Sequence, residues 1–301
     1  MSSVPRITFL GANRTAQLRL RQAFGRLDTA NSQVATGRAY NRPSENTSAS
    51  SRAASVQAEV DQLGGFDRAI ADSLSHLSVA DTKISQAVSI YQKVTELATQ
   101  GANSTNSPVS RNAIREQIVQ IRGEMQAIAN TTYLGQPVFG GLGSTDPVTF
   151  NSGTSTWTFA GNPTDKLTRV VGPAESVDVS VTAREIFAKG STDIFTVLDN
   201  LASALAADDT VGIQAALPLV SSLQSVLTAG QARLGAVVNR VEQAASRNAT
   251  LKITFTEELS KLQEVDLADA ITDQSRLSVA YQAALGVTAK AQERTLLDWL
   301  R

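Results

Sequence analysis

The chain has 301 residues, long enough for about two domains, with 42% hydrophobic, 5% aromatic and 18% charged residues and a formal net charge of −1. It has no cysteine, which excludes disulfides, thiolate metal sites and a cysteine nucleophile together. No continuous apolar run reaches the roughly 18 residues that span a bilayer, and the start lacks the basic, apolar and small-residue order of a secretory signal, so export is expected to use another route.

Charge is unevenly spread. Residues 1–52 carry eight Arg against Asp28 and Glu45, a balance of +6, whereas residues 257–301 carry eight acids and five bases, a balance of −3. Opposite ends of this kind steer an encounter more than they tighten it. A basic, Ser-rich start also suits a transit peptide or a nucleic-acid contact. The core-like pattern of this segment points away from both, and no nucleic-acid partner is expected.

Leu20, Phe24, Leu27, Asn31 and Val34 fall at alternating spacings of four and three, the seam of a coiled coil with Asn31 fixing its register. Gly37 closes that helix, and Asn41-Arg42-Pro43-Ser44 reads as an extended turn. A second helix begins between Ser44 and Ser51. In it Val56, Leu63, Ile70, Leu77, Ile84, Tyr91 and Ala98 recur every seven residues. Val60, Leu74 and Val88 supply a second stripe, interrupted by Asp67, Asp81 and Thr95. The repeat predicts a left-handed coiled helix roughly 60 Å long.

Gly101 to Pro108 reads as a turn, after which Ile114, Ile118, Ile121, Met125 and Ile128 form a third stripe, expected to fold back antiparallel on the second helix. Gly135, Pro137 and Gly140-Gly141 end it. Alternation then appears in Val148 and Phe150, in Trp157 and Phe159 against Thr154, Thr156 and Thr158, and in Val177, Val179 and Val181, with Gly153 as a turn. Helices resume with Ile194, Leu198, Leu201 and Leu205, break near Asp208-Asp209, and continue through Leu223, Leu227, Leu234, Val237, Val241, Ala244, Leu251, Phe255, Leu259 and Leu262. In the last helix Ala270, Leu277, Ala280, Ala284, Val287 and Ala291 align, a small-residue stripe that lets axes approach closely. Leu296, Leu297 and Leu300 are apolar residues at the chain end, where a partner is expected.

The predicted fold is mainly α with a small β insertion: an elongated coiled-coil bundle of N- and C-terminal segments around a central β-rich domain. Residues 1–50 and 264–301 are read as terminal assembly helices, 51–141 and 190–263 as a helical rod, and 142–189 as the β-rich part. The assembly seam is read as Leu20, Phe24, Leu27, Asn31 and Val34 with Ile271, Leu277, Ala284, Val287, Leu296, Leu297 and Leu300.

No constellation for catalysis stands out. His76 is the only histidine, on the flank of its helix, and is read as solvated surface. Asp266, Asp269 and Asp273 lie at helical spacing, read as a solvated acidic face rather than a cation site. The Gly-Gly pairs at 64–65 and 140–141 lack the Lys-Ser/Thr ending of a phosphate loop, and there is no nucleophile elbow. A structural protein without catalytic residues, metal or cofactor is expected.

Several runs, taken in order, resemble the bacterial flagellin superfamily. Leu27-Asp28-Thr29-Ala30-Asn31-Ser32-Gln33-Val34-Ala35-Thr36-Gly37-Arg38 with Asn41-Arg42-Pro43-Ser44 is similar to its N-terminal signature, although Glu45-Asn46 stands where an acidic pair is usual. Ala129-Asn130-Thr131-Thr132, Gly135 and Val138-Phe139-Gly140-Gly141 resemble the boundary of its variable domain. Gly235-Ala236-Val237-Val238-Asn239-Arg240 and Val265-Asp266-Leu267-Ala268-Asp269-Ala270-Ile271-Thr272 resemble its C-terminal helices, so that residues 6–141 and 220–301 are covered. Within the superfamily, Arg6-Ile7-Thr8, Phe139-Gly140-Gly141 and Leu296-Leu297-Asp298-Trp299-Leu300 are most like the hook-associated branch at the hook–filament junction, while Arg301 is similar to the basic ending of flagellins. Flagellin itself, or an unrelated secreted coiled-coil protein, are the alternative readings. The resemblance implies a secreted flagellar component, self-assembling and serving motility. Its partners would be further copies, a neighbouring hook-associated protein, flagellin, an export chaperone and the flagellar secretion apparatus, with no membrane insertion.

Overall fold

The computed structural model describes residues 9–143, 145–160 and 166–299, with side chains over the part of that range from 14 to 289. In chain order it contains α1 (Phe9–Thr36), α2 (Thr47–Ala102), α3 (Pro108–Ala129), β1 (Thr132–Tyr133), β2 (Gln136–Pro137), β3 (Val148–Asn151), β4 (Thr156–Phe159), β5 (Thr168–Gly172) and β6 (Glu175–Asp178). There follow α4 (Ala183–Phe187), β7 (Ala188–Lys189), β8 (Thr192–Asp193), α5 (Ile194–Ala206), α6 (Thr210–Gln263) and α7 (Leu267–Trp299). Mainly helical architecture with a small central β region is therefore the fold. The strands form antiparallel two-stranded hairpins, β1 with β2, β3 with β4, β5 with β6 and β7 with β8. The chain divides into two compact units, Leu63–Thr250 and the paired ends Met1–Gln62 with Leu251–Arg301, and α2 and α6 supply residues to both.

In the 63–250 unit the seven-residue stripe of α2 is the core: Leu63, Ile70, Leu77, Ile84, Tyr91 and Ala98 are all buried. Its companion stripe lies three residues on, at Ser73, Ala80, Ala87 and Val94, one position before the expected Leu74, Asp81, Val88 and Thr95. Leu74 and Val88 pack on the edge of the core and Asp81 is exposed, so the polar interruptions lie beside the seam and do not interrupt it. Hydrogen bonds from Gln231 Nε2 to Ser85 Oγ (3.0 Å) and from Thr95 Oγ1 to Gln224 Oε1 (3.3 Å) fix α6 antiparallel to α2. Of the helices, α6 alone among the described residues is long and apolar enough to cross a bilayer by length and composition, yet its Val220, Leu223, Leu227 and Leu234 are buried in this core.

Ser107 caps α3 by accepting from Ser110 N (3.2 Å), with Pro108 opening the helix where its missing N–H costs nothing. Ile114, Ile118, Met125 and Ile128 are buried as expected, but the helix packs most extensively on α5 rather than on α2. Buried Arg111 ties the α2–α3 connection to the α5–α6 turn: Nε donates to Gly101 O (3.1 Å), Nη2 donates to Asn103 O (3.0 Å), and Nη1 pairs with Asp208.

Phe195 on α5 organises an aromatic cluster, with ring centroids 4.8 Å from Trp157 and 6.1 Å from both Phe159 and Phe187. Trp157 Nε1 donates to Asp199 Oδ2 (2.7 Å), whose other oxygen pairs with Arg122. The β3–β4 hairpin is thus clipped to α5 at one strand, and at the other by Asn130, which bonds both main-chain groups of Val148 (2.8 and 2.9 Å).

Two elements depart from the expected pattern. Strand pairing begins at Thr132, ahead of the expected 142, because Leu134 (φ 49°) and Gly135 (φ 78°) both take left-handed backbone and close a two-residue hairpin. Within the segment read as β, residues 183–187 form a single helical turn, with the Glu185 carboxylate accepting from Thr182 N (3.2 Å).

Candidate assembly interface

In the paired ends, α1 and α7 lie against each other. Gln274 Nε2 donates to Asn31 Oδ1 (3.1 Å), and the Phe24 and Tyr281 rings are 5.7 Å apart, so the two helices run antiparallel. Where α1 stops, Gly37 turns the chain with φ 68° and its carbonyl accepts from Val265 N (3.0 Å). Ala39 N donates to Gln263 O (2.7 Å), giving a short antiparallel bridge of Arg38 with Glu264. The turn that follows is held by side chains. Glu45 Oε2 accepts from Asn41 N (2.9 Å), and Asn46 Oδ1 accepts from Ala49 N (3.0 Å) at the start of α2. Glu45 thus supplies the carboxylate that the local turn needs, and Asn46 serves as a cap in place of an acid.

Large residues are not what this pair buries. The buried apolar side chains of this unit are Ala30, Ala53 and Ala270 among the described residues. Leu20, Ala23, Leu27 and Val34 on α1, with Gln274, Leu277, Tyr281 and Ala284 on α7, are half-buried. Phe24 is 55% exposed, Ile271 51%, Val279 66% and Val287 70%. A groove of about 500 Å³ opens between Thr15, Ala16, Arg19 and Leu20 on one side and Ala283, Ala284, Val287 and Thr288 on the other. Burying an alanine methyl contributes roughly 0.8 kcal/mol, whereas a fully buried Leu or Phe contributes about 1.5–3 kcal/mol. The helix pair therefore leaves part of its apolar potential unused, at Phe24, Ile271, Val279 and Val287 above all.

Of the residues read as the assembly seam, Leu20, Leu27, Val34, Leu277 and Ala284 lie between α1 and α7 at half burial. Phe24 and Asn31 flank that contact, Val287 lines the open groove beside it at 70% exposure, and Ile271 is 51% exposed. The Leu296 and Leu297 side chains and all of Leu300 lie outside the described residues. Sequence reading missed Ala23, Ala30, Gln274 and Tyr281. The signal was present in α7, where 270, 274, 277, 281, 284 and 288 continue one face at spacings of four and three.

Charge contributes modestly. Arg52 and Glu258 join the basic and acidic ends at 3.7 Å, but both are exposed, and such pairs contribute about 1 kcal/mol or less. In the acidic face, Asp266 Oδ1 accepts from Ala268 N (2.9 Å) at the start of α7, and Asp273 pairs with Arg276 at 3.0 Å.

His76, read as solvated surface, is instead half-buried in the 63–250 unit. Its Nδ1 is buried without a hydrogen-bond partner, its ring meets Tyr133 edge-on at 6.2 Å, and it lines a cavity of about 300 Å³. Burial disfavours the imidazolium, with Asp72 opposing and Arg169 reinforcing that effect, and the pKa is lowered from the ordinary 6.5.

Residues 7–142 match the family described as the bacterial flagellin N-terminal helical region, and residues 217–300 match the bacterial flagellin C-terminal helical region. Flagellin of Halalkalibacterium halodurans is 23% identical over 299 residues, 97% of this chain and 97% of that protein. Flagellin A of Vibrio cholerae is 34% identical over 127 residues, which is 40% of this chain and 32% of that protein. Among solved structures, a putative flagellar hook-associated protein from Vibrio parahaemolyticus has a TM-score of 0.68 at 16% identity, covering 73% of this chain and all of that one (100%). Flagellar hook-associated protein-3 from Legionella pneumophila has a TM-score of 0.63 at 15% identity, covering 69% of this chain and 98% of that one. At such identities these two speak for the fold.

Proposed function

Because the chain belongs to the bacterial flagellin family, we propose that it is a structural subunit of the flagellum, non-catalytic, at the junction between hook-associated proteins and the flagellin filament. In this reading the segments 1–50 and 264–301 are assembly helices, 51–141 and 190–263 a rod, and 142–189 a variable domain. The seam residues from Leu20 to Val34 and from Ile271 to Leu300 complete their burial against further copies. Its partners are those copies, a neighbouring hook-associated protein and flagellin, and it reaches them through the flagellar secretion apparatus with an export chaperone. The observation that carries the reading is the inverted burial of the paired ends, where alanines are covered while Phe24, Val279 and Val287 face solvent. Long helices with an uncovered stripe gain order by packing, so assembly supplies what the lone subunit lacks.

The favoured position within the flagellum draws on the likeness in fold to hook-associated proteins, two of which this chain covers at 100% and 98% of their length. A second reading, flagellin itself, draws on the Halalkalibacterium halodurans flagellin that matches over 97% of both chains. Deleting the gene separates them: loss of a junction subunit releases unpolymerised flagellin into the medium, whereas loss of the sole flagellin leaves none there, and unchanged motility overturns both. For the mechanism, Leu27→Asp is expected to be exported and to fail to incorporate, and wild-type motility of that variant would count against the seam.

A further inference from the structure

The cavity beside His76 lies where α2, the β1–β2 hairpin and β5 meet, with Asp72, His76, Tyr133 and Arg169 as its titratable or charged lining. Asp72 and His76 are one helical turn apart, so both face it from the same side. Arg169 Nη2 reaches across from β5 to Asp72 Oδ2 at 3.4 Å, with both side chains about half exposed. A pair so long and so wet is weak and readily exchanged. With Nδ1 buried and unpartnered, a neutral imidazole, whose bare nitrogen is an uncharged acceptor, costs less at this position than a charged ring. An imidazolium does not fit: it adds a second N–H that needs an acceptor and a positive charge beside Arg169.

We propose that His76, Asp72 and Arg169 form a partner-exchange switch, in which His76, on taking a proton from solvent, captures the Asp72 carboxylate and frees Arg169, loosening β5 from α2. An ion pair between two elements is traded for one within a helix, at the i, i+4 spacing that favours it. Asp72 on α2, Tyr133 on β1 and Arg169 on β5 are the titratable and charged groups facing the imidazole among the described residues, and the carboxylate is its acceptor at mildly acidic pH. The loosening is local, since β5 and β6 stay tied to α6 through Asn248 Nδ2 to Val171 O (2.7 Å) and Arg240 Nη2 to Ser176 O (3.3 Å). The sign follows from the folded ring titrating below its unfolded value: the unfolded chain binds the proton first, so the stabilisation is whole above about pH 6.5 and is lost as pH falls through and below it.

As the chain's only histidine, His76 gives imidazole C–H resonances that titrate alone in the full-length protein. The expected midpoint lies below about 6.5. Over the same range, amide hydrogen exchange in residues 168–172, corrected for its intrinsic pH dependence, should accelerate roughly threefold or more. His76→Gln should hold the slow rate throughout, and Asp72→Asn, which leaves Arg169 unpaired at any pH, should be fast throughout. A step of unchanged size and midpoint in His76→Gln overturns the switch, as does a wild-type exchange profile with no step. Should either variant fail to fold by circular dichroism, wild type decides alone: a midpoint at or above about 6.5, or exchange that does not follow the resonance titration, overturns it equally.

Discussion

In residues 63–250 the apolar stripes end on large side chains that the same chain covers: Leu77, Ile84, Tyr91, Phe187 and Phe195 are fully buried. In the paired ends the covered apolar residues are Ala30, Ala53 and Ala270, while Phe24, Ile253, Val279 and Val287 are more than half exposed. Both regions carry the same spacing of four and three. Periodicity therefore marks where a helix wants a neighbour, but the size of the residue at the centre of the contact decides whether the neighbour in the same chain is enough. A leucine or phenylalanine at that centre closes a core; an alanine there brings two axes together and leaves the flanking large residues for another surface.

Substitutions graded by size of effect probe that contrast. Phe195→Ala removes the ring at the middle of the aromatic cluster and should cost about 3–5 kcal/mol in denaturant unfolding. A loss under about 1 kcal/mol would erase the difference between the regions. Arg111→Met strips the donors from Gly101 O and Asn103 O and should cost about 1–3 kcal/mol by the same measurement, because the buried Gly101 carbonyl would lose its side-chain partner. Leu27→Ala, at a half-buried seam position, should cost about 1 kcal/mol or less in the isolated subunit. A loss as large as that of Phe195→Ala would mean that the ends are already complete. Tyr91→Phe should be neutral or stabilising by up to about 1 kcal/mol, since its buried hydroxyl has no partner and burial pushes its pKa up.

The main stripe of α2 is legible because bulky residues from Leu63 to Tyr91 mark every second turn of it. The companion stripe was misplaced by one residue because Leu74 and Val88 outweigh Ser73, Ala80 and Ala87 on hydropathy, although small residues are what the close contact admits. On α1 the contact with α7 also takes in the small residues Ala23 and Ala30, which hydropathy passes over in favour of Leu20, Phe24 and Leu27. The β1–β2 hairpin carries little turn signal in the sequence because its turn sets Leu134, rather than the usual Asn or Asp, in left-handed backbone. The pairing of α3 with α5 follows from tertiary geometry that no local period encodes. Of the candidate interface, the helices and their apolar residues were readable, whereas which large residues stay uncovered depended on where the chain ends meet.

The tight seat of Trp157, donating to Asp199 and stacked 4.8 Å from Phe195, lies within residues 63–250, whereas Trp299, the second of two tryptophans, belongs by sequence to the paired ends. Intrinsic fluorescence can therefore be divided between the regions by one conservative replacement. A Trp299→Phe protein emits from indole in the self-sufficient region alone, and a Trp157→Phe protein from the ends alone. Each region thus carries its own optical label, with no dye attached.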